Sequence, residues 1–156
     1  PGNFTFPSSA HLVQVEVNKD TGEIEVQKYV AVEDCGNVIN PMVVEGQILG
    51  GIAQGVGQAL YEHGVYDDDG QLVTGSMLDY TMPRADNFPM IESDRIETPS
   101  PSNTLGVKGV GEMGSITSPP AVVNAVVDAL SGYGVKDIEM PLTSEKIWNL
   151  IQTNGG

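Results

Sequence analysis

The sequence predicts an α+β fold in which strand hairpins pack with a glycine-rich helix and two further helices. Three observations carry this. Residues 11–17 and 23–32 alternate apolar and polar side chains across the turn-rich stretch 18–22, the signature of a hairpin of half-buried strands. Residues 42–62 repeat apolar side chains at helical spacing. Two more helical patterns close the chain, after a long Gly/Pro/Ser tract.

At 156 residues the chain suffices for one domain with a real core. Its 40% hydrophobic and 18% charged residues fit a folded globular protein. The formal charge is -14, with only seven basic residues, scattered along the chain, so no basic stripe can form and nucleic-acid binding is not expected. No apolar run reaches the roughly 18 residues of a membrane span, and the first residues do not read as a signal sequence. Cys35 is the only cysteine. That excludes disulfides, iron–sulfur ligation and a thiolate zinc site within this chain, and fits the reducing cytoplasm, the expected location. His11 and His63 are too few and too isolated to suggest a metal cluster.

Along the chain, residues 1–10 read as a loop. Asn40-Pro41 is a helix start. In the helix over 42–62, Val44, Ile48, Ile52, Val56 and Ala59 share one apolar face. Gly46, Gly50, Ala53 and Gly57 line a second strip almost free of side chains, and Gln47, Gln54 and Gln58 form a third. Glycine costs about 1 kcal/mol relative to alanine within a helix, so five glycines in this helix demand a backbone or a ligand pressed against the smooth strip. Residues 63–74 read as a short hairpin around Asp67-Asp68-Asp69, a solvated turn without the spacing of a calcium loop. Residues 75–89 are irregular, and 90–97 suit a strand. The tract 98–117 is expected to be loop. Ser118 then caps a helix with Pro119 in its first position, continuing through 121–130 to Gly132. It is apolar nearly all round, which predicts burial. Thr143 caps a last helix over 144–152, with a Leu142/Ile147 hydrophobic staple.

The strongest chemical signal lies in residues 106–115. Gly109, Gly111 and Gly114 match the G-x-G-x-x-G spacing of dinucleotide folds, a weak pattern alone. No clear strand leads into it, the next helix starts late, and Glu112 would set a carboxylate beside a pyrophosphate. A carboxylate bracketed by glycines has another use: the neighbours offer no side chains and free the backbone for unusual torsions. One acid is then left in a crevice, where partial desolvation raises its pKa into the range of a general base. The residues alone leave open a surface turn whose acid merely faces water. Cys35 reads as a small buried residue, Lys108 as solvated or salt-bridged, and Asp79, Arg84 and Asp86 as candidates for a structural ion pair.

Three motifs together resemble one family. The stretch from Val44-Glu45-Gly46-Gln47 through Gly57-Gln58-Ala59-Leu60 resembles the glycine/glutamine helix of the molybdopterin-binding large subunit of the xanthine dehydrogenase/aldehyde oxidase family. Asp34-Cys35-Gly36-Asn37 with Ile39-Asn40-Pro41 resembles the segment leading into it. Gly109-Val110-Gly111-Glu112, followed by Ser118 and the Ala/Val helix, resembles the catalytic-glutamate loop. Order and spacing agree over residues 11–150, and Val32–Gly36 and Gln58–Glu62 read most like the large chains of aerobic carbon monoxide dehydrogenases. Met113 departs from the Ala, Ser or Pro of many relatives, so a different pocket rim is expected there.

The resemblance implies that residues 1–156 are the C-terminal portion of a molybdenum-cofactor-binding domain. It implies oxidation of an aldehyde, an N-heterocycle or carbon monoxide, with water as the oxygen source. Glu112 would be the catalytic base, and Gln47, Gly109 and Gly111 would contact the pterin cofactor. The molybdenum–molybdopterin would be shared with an upstream half of the subunit, and no residue of this chain would ligate the metal. FAD and iron–sulfur clusters would sit on other domains or subunits of an oligomeric assembly. A cofactor-free scaffold or interaction domain of the same fold is the alternative.

Overall fold

The computed structural model describes residues 5–154. Strands β1 (Ser8–Val17) and β2 (Ile24–Asp34) form the expected antiparallel hairpin, paired from Ser8↔Asp34 to Val17↔Ile24 with a bulge at Gln14/Val15. The turn closes as its residues dictate: Asn18 Oδ1 accepts the Asp20 and Thr21 amides at 2.9 and 3.2 Å. β1 begins earlier than the alternation suggested. Of the stretch read as loop, Ser8–Ala10 belong to the strand, while residues 1–4 lie outside the described residues. Strand β3 (Ile91–Arg95) joins the other edge of β2 in parallel, giving the order β1-β2-β3.

Helix α1 (Pro41–Leu60) starts where Asn40 and Pro41 predict, with Asn40 Oδ1 accepting from the Val43 amide. Its expected apolar face is the centre of the core: Val44, Ile48, Ile52, Val56 and Ala59 are all buried, together with Val26, Tyr29 and Ala31 of β2. Residues 63–74 are a loop pinched by a Tyr66↔Leu72 bridge, and Asp67 Oδ1 holds its tip by accepting the Asp69 and Gln71 amides. Helix α3 (Ser144–Asn154) has Thr143 as its cap and buries Ile147 and Ile151. No helix among the described residues is long and apolar enough to cross a membrane.

Helix α2 differs most from expectation. It spans Met113–Ala129, so Ser118 is not a cap and Pro119 and Pro120 lie inside the helix. A proline there removes a backbone donor and would ordinarily end the helix. Tertiary packing holds the turn before it. A Cβ on Gly114 would lie 2.6 Å from the Ile48 carbonyl oxygen and 2.8 Å from the Ile52 nitrogen, so the first turn of α2 rests directly on the α1 backbone. α2 is also buried on one face only: Val122 and Val126 are covered, whereas Asn124, Asp128 and Ala129 are exposed.

The glycines of α1 divide between two faces. Gly51 and Gly55 make the close approach to α2, where side chains on them would meet Gly114 and Ser115, and Ser118 and Pro119, respectively. On the strip expected to be smooth, a Cβ on Gly46 or Gly50 would meet nothing within 4 Å, while Gly57 is covered by Pro83 and Glu62.

Candidate active site

Glu112 is delivered by a loop that the end of β2 holds at several points. Gly106 adopts φ +67°, a left-handed conformation that favours glycine, and its carbonyl accepts both the Asn37 and Ser100 amides at 3.0 Å. Asn103 brackets Val107, accepting its N–H at 3.1 Å and donating to its carbonyl at 2.9 Å. The Lys108 amide donates to the Cys35 carbonyl at 2.8 Å. Its ammonium reaches Asp34 Oδ2 at 3.0 Å, which settles Lys108 as salt-bridged.

The chain then passes Gly109, Val110 and Gly111 and enters α2 with Glu112 as the N-cap residue. The Glu112 side chain does not cap the helix; it is exposed, as is Gln47. Gln47 Oε1 lies 3.8 Å from where a Cβ on Gly111 would sit, so the amide reaches the residue immediately before Glu112. Neither side chain has a hydrogen-bond partner among the described residues. Beside them run the open backbone positions Gly46 and Gly50, and Ile39, Met42, Val43 and Ile116 expose large apolar surface. The result is an open stretch of uncovered α1 backbone whose Gln47 amide reaches the loop that carries the exposed Glu112.

Several expectations change here. Gly109 and Gly111 are expected to let backbone approach a cofactor; the Gly109 N–H itself donates to the Thr5 carbonyl at 3.1 Å. Gly111 has no such partner among the described residues. Neither glycine adopts a positive φ, so freedom from side chains, not unusual torsion, is what they contribute. Met113 is no rim residue: it is 3% exposed and part of the core. The three glutamines do not act together. Gln58 lines a hollow of about 680 Å³ with Glu62, His63 and Pro141, and eleven residues of helix place it roughly 16 Å along the axis from Gln47. None of the three surface hollows described is lined by Gln47 or Glu112.

A buried polar network behind the site escaped the sequence reading altogether. His11 Nε2 contacts Glu33 Oε1 at 2.7 Å and its Nδ1 contacts the Tyr29 hydroxyl at 2.8 Å. The His11 and Glu33 side chains are fully buried. Burial pushes the Tyr29 phenol well above its ordinary range; the Ser118 hydroxyl opposes this and the Glu33 carboxylate adds to it. His11 looked isolated because its partners lie 18 and 22 residues away. The one available signal was its inward position in the alternation of β1. Asp34 behaves oppositely. Burial alone would raise its pKa, but the Gly36 amide, Thr98 and Lys108 outweigh burial and hold the carboxyl far below the usual range.

The family of the molybdopterin cofactor-binding domain matches residues 1–89. The chain belongs to that family. Within it, this is part of a xanthine dehydrogenase-type large subunit. It is 49% identical over 142 residues to the nicotine 6-hydroxylase large subunit of Paenarthrobacter nicotinovorans, covering 91% of this chain and 17% of the relative. The crystal structure of quinoline 2-oxidoreductase from Pseudomonas putida 86 superimposes with a TM-score of 0.86 at 48% identity, over 90% of this chain and 18% of that one. A Cu,Mo-carbon monoxide dehydrogenase in its carbon monoxide-reduced state gives a TM-score of 0.92 at 34% identity, over 96% of this chain and 19% of that one. The chain thus spans about a fifth of the length of these relatives, and the family they share with it is one of molybdenum-dependent oxidoreductases.

Proposed function

We propose that this chain supplies the catalytic base, Glu112, and part of the pterin contact, Gln47 and Gly111, of a molybdenum hydroxylase. The observation that carries the reading is the placement of the Gln47 amide beside Gly111, one residue from Glu112, on a face where the α1 backbone is bare. That face fits a planar, hydrogen-bonding cofactor. Gly46, Gly50 and Gly111 leave room that any Cβ would fill, the amide can both donate and accept, and the neighbouring carboxylate is unpaired among the described residues. Gly109 would contribute room for close approach and not a free donor, because its amide donates to the Thr5 carbonyl.

When bound, the molybdenum cofactor supplies the activated oxygen and accepts the electrons of the oxidation. The chain's own part is a proton acceptor held in place. A Glu112 carboxylate oxygen takes the proton released as oxygen is transferred to carbon, and Gln47 fixes the cofactor against α1. The exposed apolar residues around the pair are where the rest of the subunit closes over the site and excludes water. For the substrate class, the 49% and 48% identities to proteins named for nicotine and quinoline favour the ring carbon of an N-heterocycle over an aldehyde or carbon monoxide. The upstream half of the subunit, together with FAD and iron–sulfur partners in the cytoplasm, completes the enzyme.

Glu112→Gln tests this. The amide keeps the shape but cannot take the proton. In the assembled enzyme, molybdenum content should match wild type while turnover per molybdenum falls by about 10²–10⁴-fold, the usual cost of a lost general base. Turnover near the wild-type level would remove Glu112 from the chemistry.

A further inference from the structure

We propose that the Asp34–Lys108 ion pair is a positioning device that sets where Glu112 stands relative to Gln47; this rests on the reading of Glu112 as the base. Asp34 is the last residue of β2, the central strand of the sheet. Its carboxylate joins three segments. Oδ1 accepts the Gly36 amide at 2.9 Å and the Thr98 amide at 3.1 Å, and Oδ2 accepts the Lys108 ammonium at 3.0 Å. The two side chains are only 11% and 13% exposed, so this is not one of the solvated pairs that form and break at a surface.

Lys108 is tied by its main chain as well, through its amide to Cys35 and through the neighbouring Gly36↔Val107 bridge. It is therefore a fixed point, and it lies four residues before Glu112. The second fixed point lies two residues after it, where Gly114 rests against Ile48 and Ile52. Between Lys108 and Glu112 run Gly109, Val110 and Gly111. Of these only Val110 packs against the core, and only Gly109 has a backbone hydrogen bond, to Thr5. The buried pair is thus the side-chain contribution to the upstream half of this suspension, beside the main-chain bonds of Lys108 and Gly109. Removing the ammonium takes away the one side-chain anchor on this side and leaves the loop to its main-chain bonds and Val110, a looser suspension in which Glu112 can shift relative to Gln47. A displacement of about 1 Å in a catalytic group can cost 10²-fold in rate without weakening substrate binding.

The experiment uses the complete enzyme with Lys108→Met, Asp34→Asn, the double variant, Lys108→Arg and, in parallel, Glu112→Gln. Lys108→Met should lower kcat per molybdenum at least tenfold with KM within twofold of wild type. The double variant should be no worse than the poorer single one, because both remove the same link. Lys108→Arg, which keeps the pair, should restore most of the rate. Amide hydrogen exchange, measured on the same proteins and independent of turnover, should show residues 107–111 opening at least tenfold faster in Lys108→Met. Should Asp34→Asn fold poorly, Lys108→Met alone decides. Wild-type kcat per molybdenum in Lys108→Met while Glu112→Gln is inactive overturns the positioning role and leaves the base standing. Unchanged loop exchange overturns it equally. Full activity of Glu112→Gln would instead overturn the base itself, and with it the purpose of the pair.

Discussion

Adjacent glycines in α1 should respond to alanine with opposite signs. Gly50 and Gly51 are one residue, hence about 100°, apart on the helix. A Cβ on Gly50 meets nothing within 4 Å, so Gly50→Ala should gain the ordinary helix propensity of about 0.5–1 kcal/mol. A Cβ on Gly51 lies 2.9 Å from the Ser115 nitrogen and 3.0 Å from Gly114 Cα, both backbone atoms of α2. Backbone cannot rotate out of the way, so the two helices must separate by a few tenths of an ångström. Overpacking of this kind costs about 1–3 kcal/mol, against which the propensity gain is partial relief. Gly114→Ala, at 2.6 Å from the Ile48 oxygen, should cost more than Gly51→Ala. The expected gap between Gly50→Ala and Gly51→Ala is about 2 kcal/mol, or about 4–8 °C in Tm for a domain of this size. Urea and thermal unfolding of the variants measure it directly. A Gly51→Ala protein as stable as Gly50→Ala would refute the helix contact on which the placement of Glu112 depends.

Other consequences can be checked with the same assays. His11→Phe leaves the buried Glu33 side chain with no partner among the described residues and should cost about 3–5 kcal/mol. Tyr29→Phe removes a single hydrogen bond and should cost about 1 kcal/mol; equal losses in urea midpoint would count against the network. Stability should also fall at both pH extremes. The depressed Asp34 pKa contributes stability that is complete above the unfolded carboxylate value of about 4 and is lost as pH drops below it. The raised Tyr29 pKa contributes stability that is complete below about pH 10 and is lost above it. Urea midpoints of Asp34→Asn and Tyr29→Phe against pH should flatten the acid and alkaline limbs respectively.

What the sequence made legible was local. The Asn18–Gly22 turn, the Asn40 cap and the Thr143 cap are hydrogen bonds between residues within a few positions of one another, and each stands where its residues put it. What it hid was non-local. Pro119 argued for a helix start, and only the seat of Gly114 on α1 explains why the helix begins six residues earlier. The parallel pairing of β2 with β3 and the His11 network likewise depend on contacts no window of sequence contains. The glycine strip is a different case, since its signal was present. Gly51 and Gly55 stand three residues after Ile48 and Ile52, on the core side of the helix, whereas Gly46 and Gly50 stand two residues after Val44 and Ile48 and point away.

That arrangement explains how the candidate site can be accurate on so exposed a face. Gln47 immediately precedes Ile48, whose carbonyl oxygen meets Gly114, and Glu112 stands two residues before Gly114. On the α2 side, the backbones that carry the amide and the carboxylate are therefore related through a direct contact between the two helices, while the Lys108 pair holds the other end of the loop. A side chain added at Gly51 or Gly114 must change that helix contact. For this reason the glycines facing α2 matter to the chemistry as well as to the fold, and the variants that test packing should also shift turnover per molybdenum in the complete enzyme.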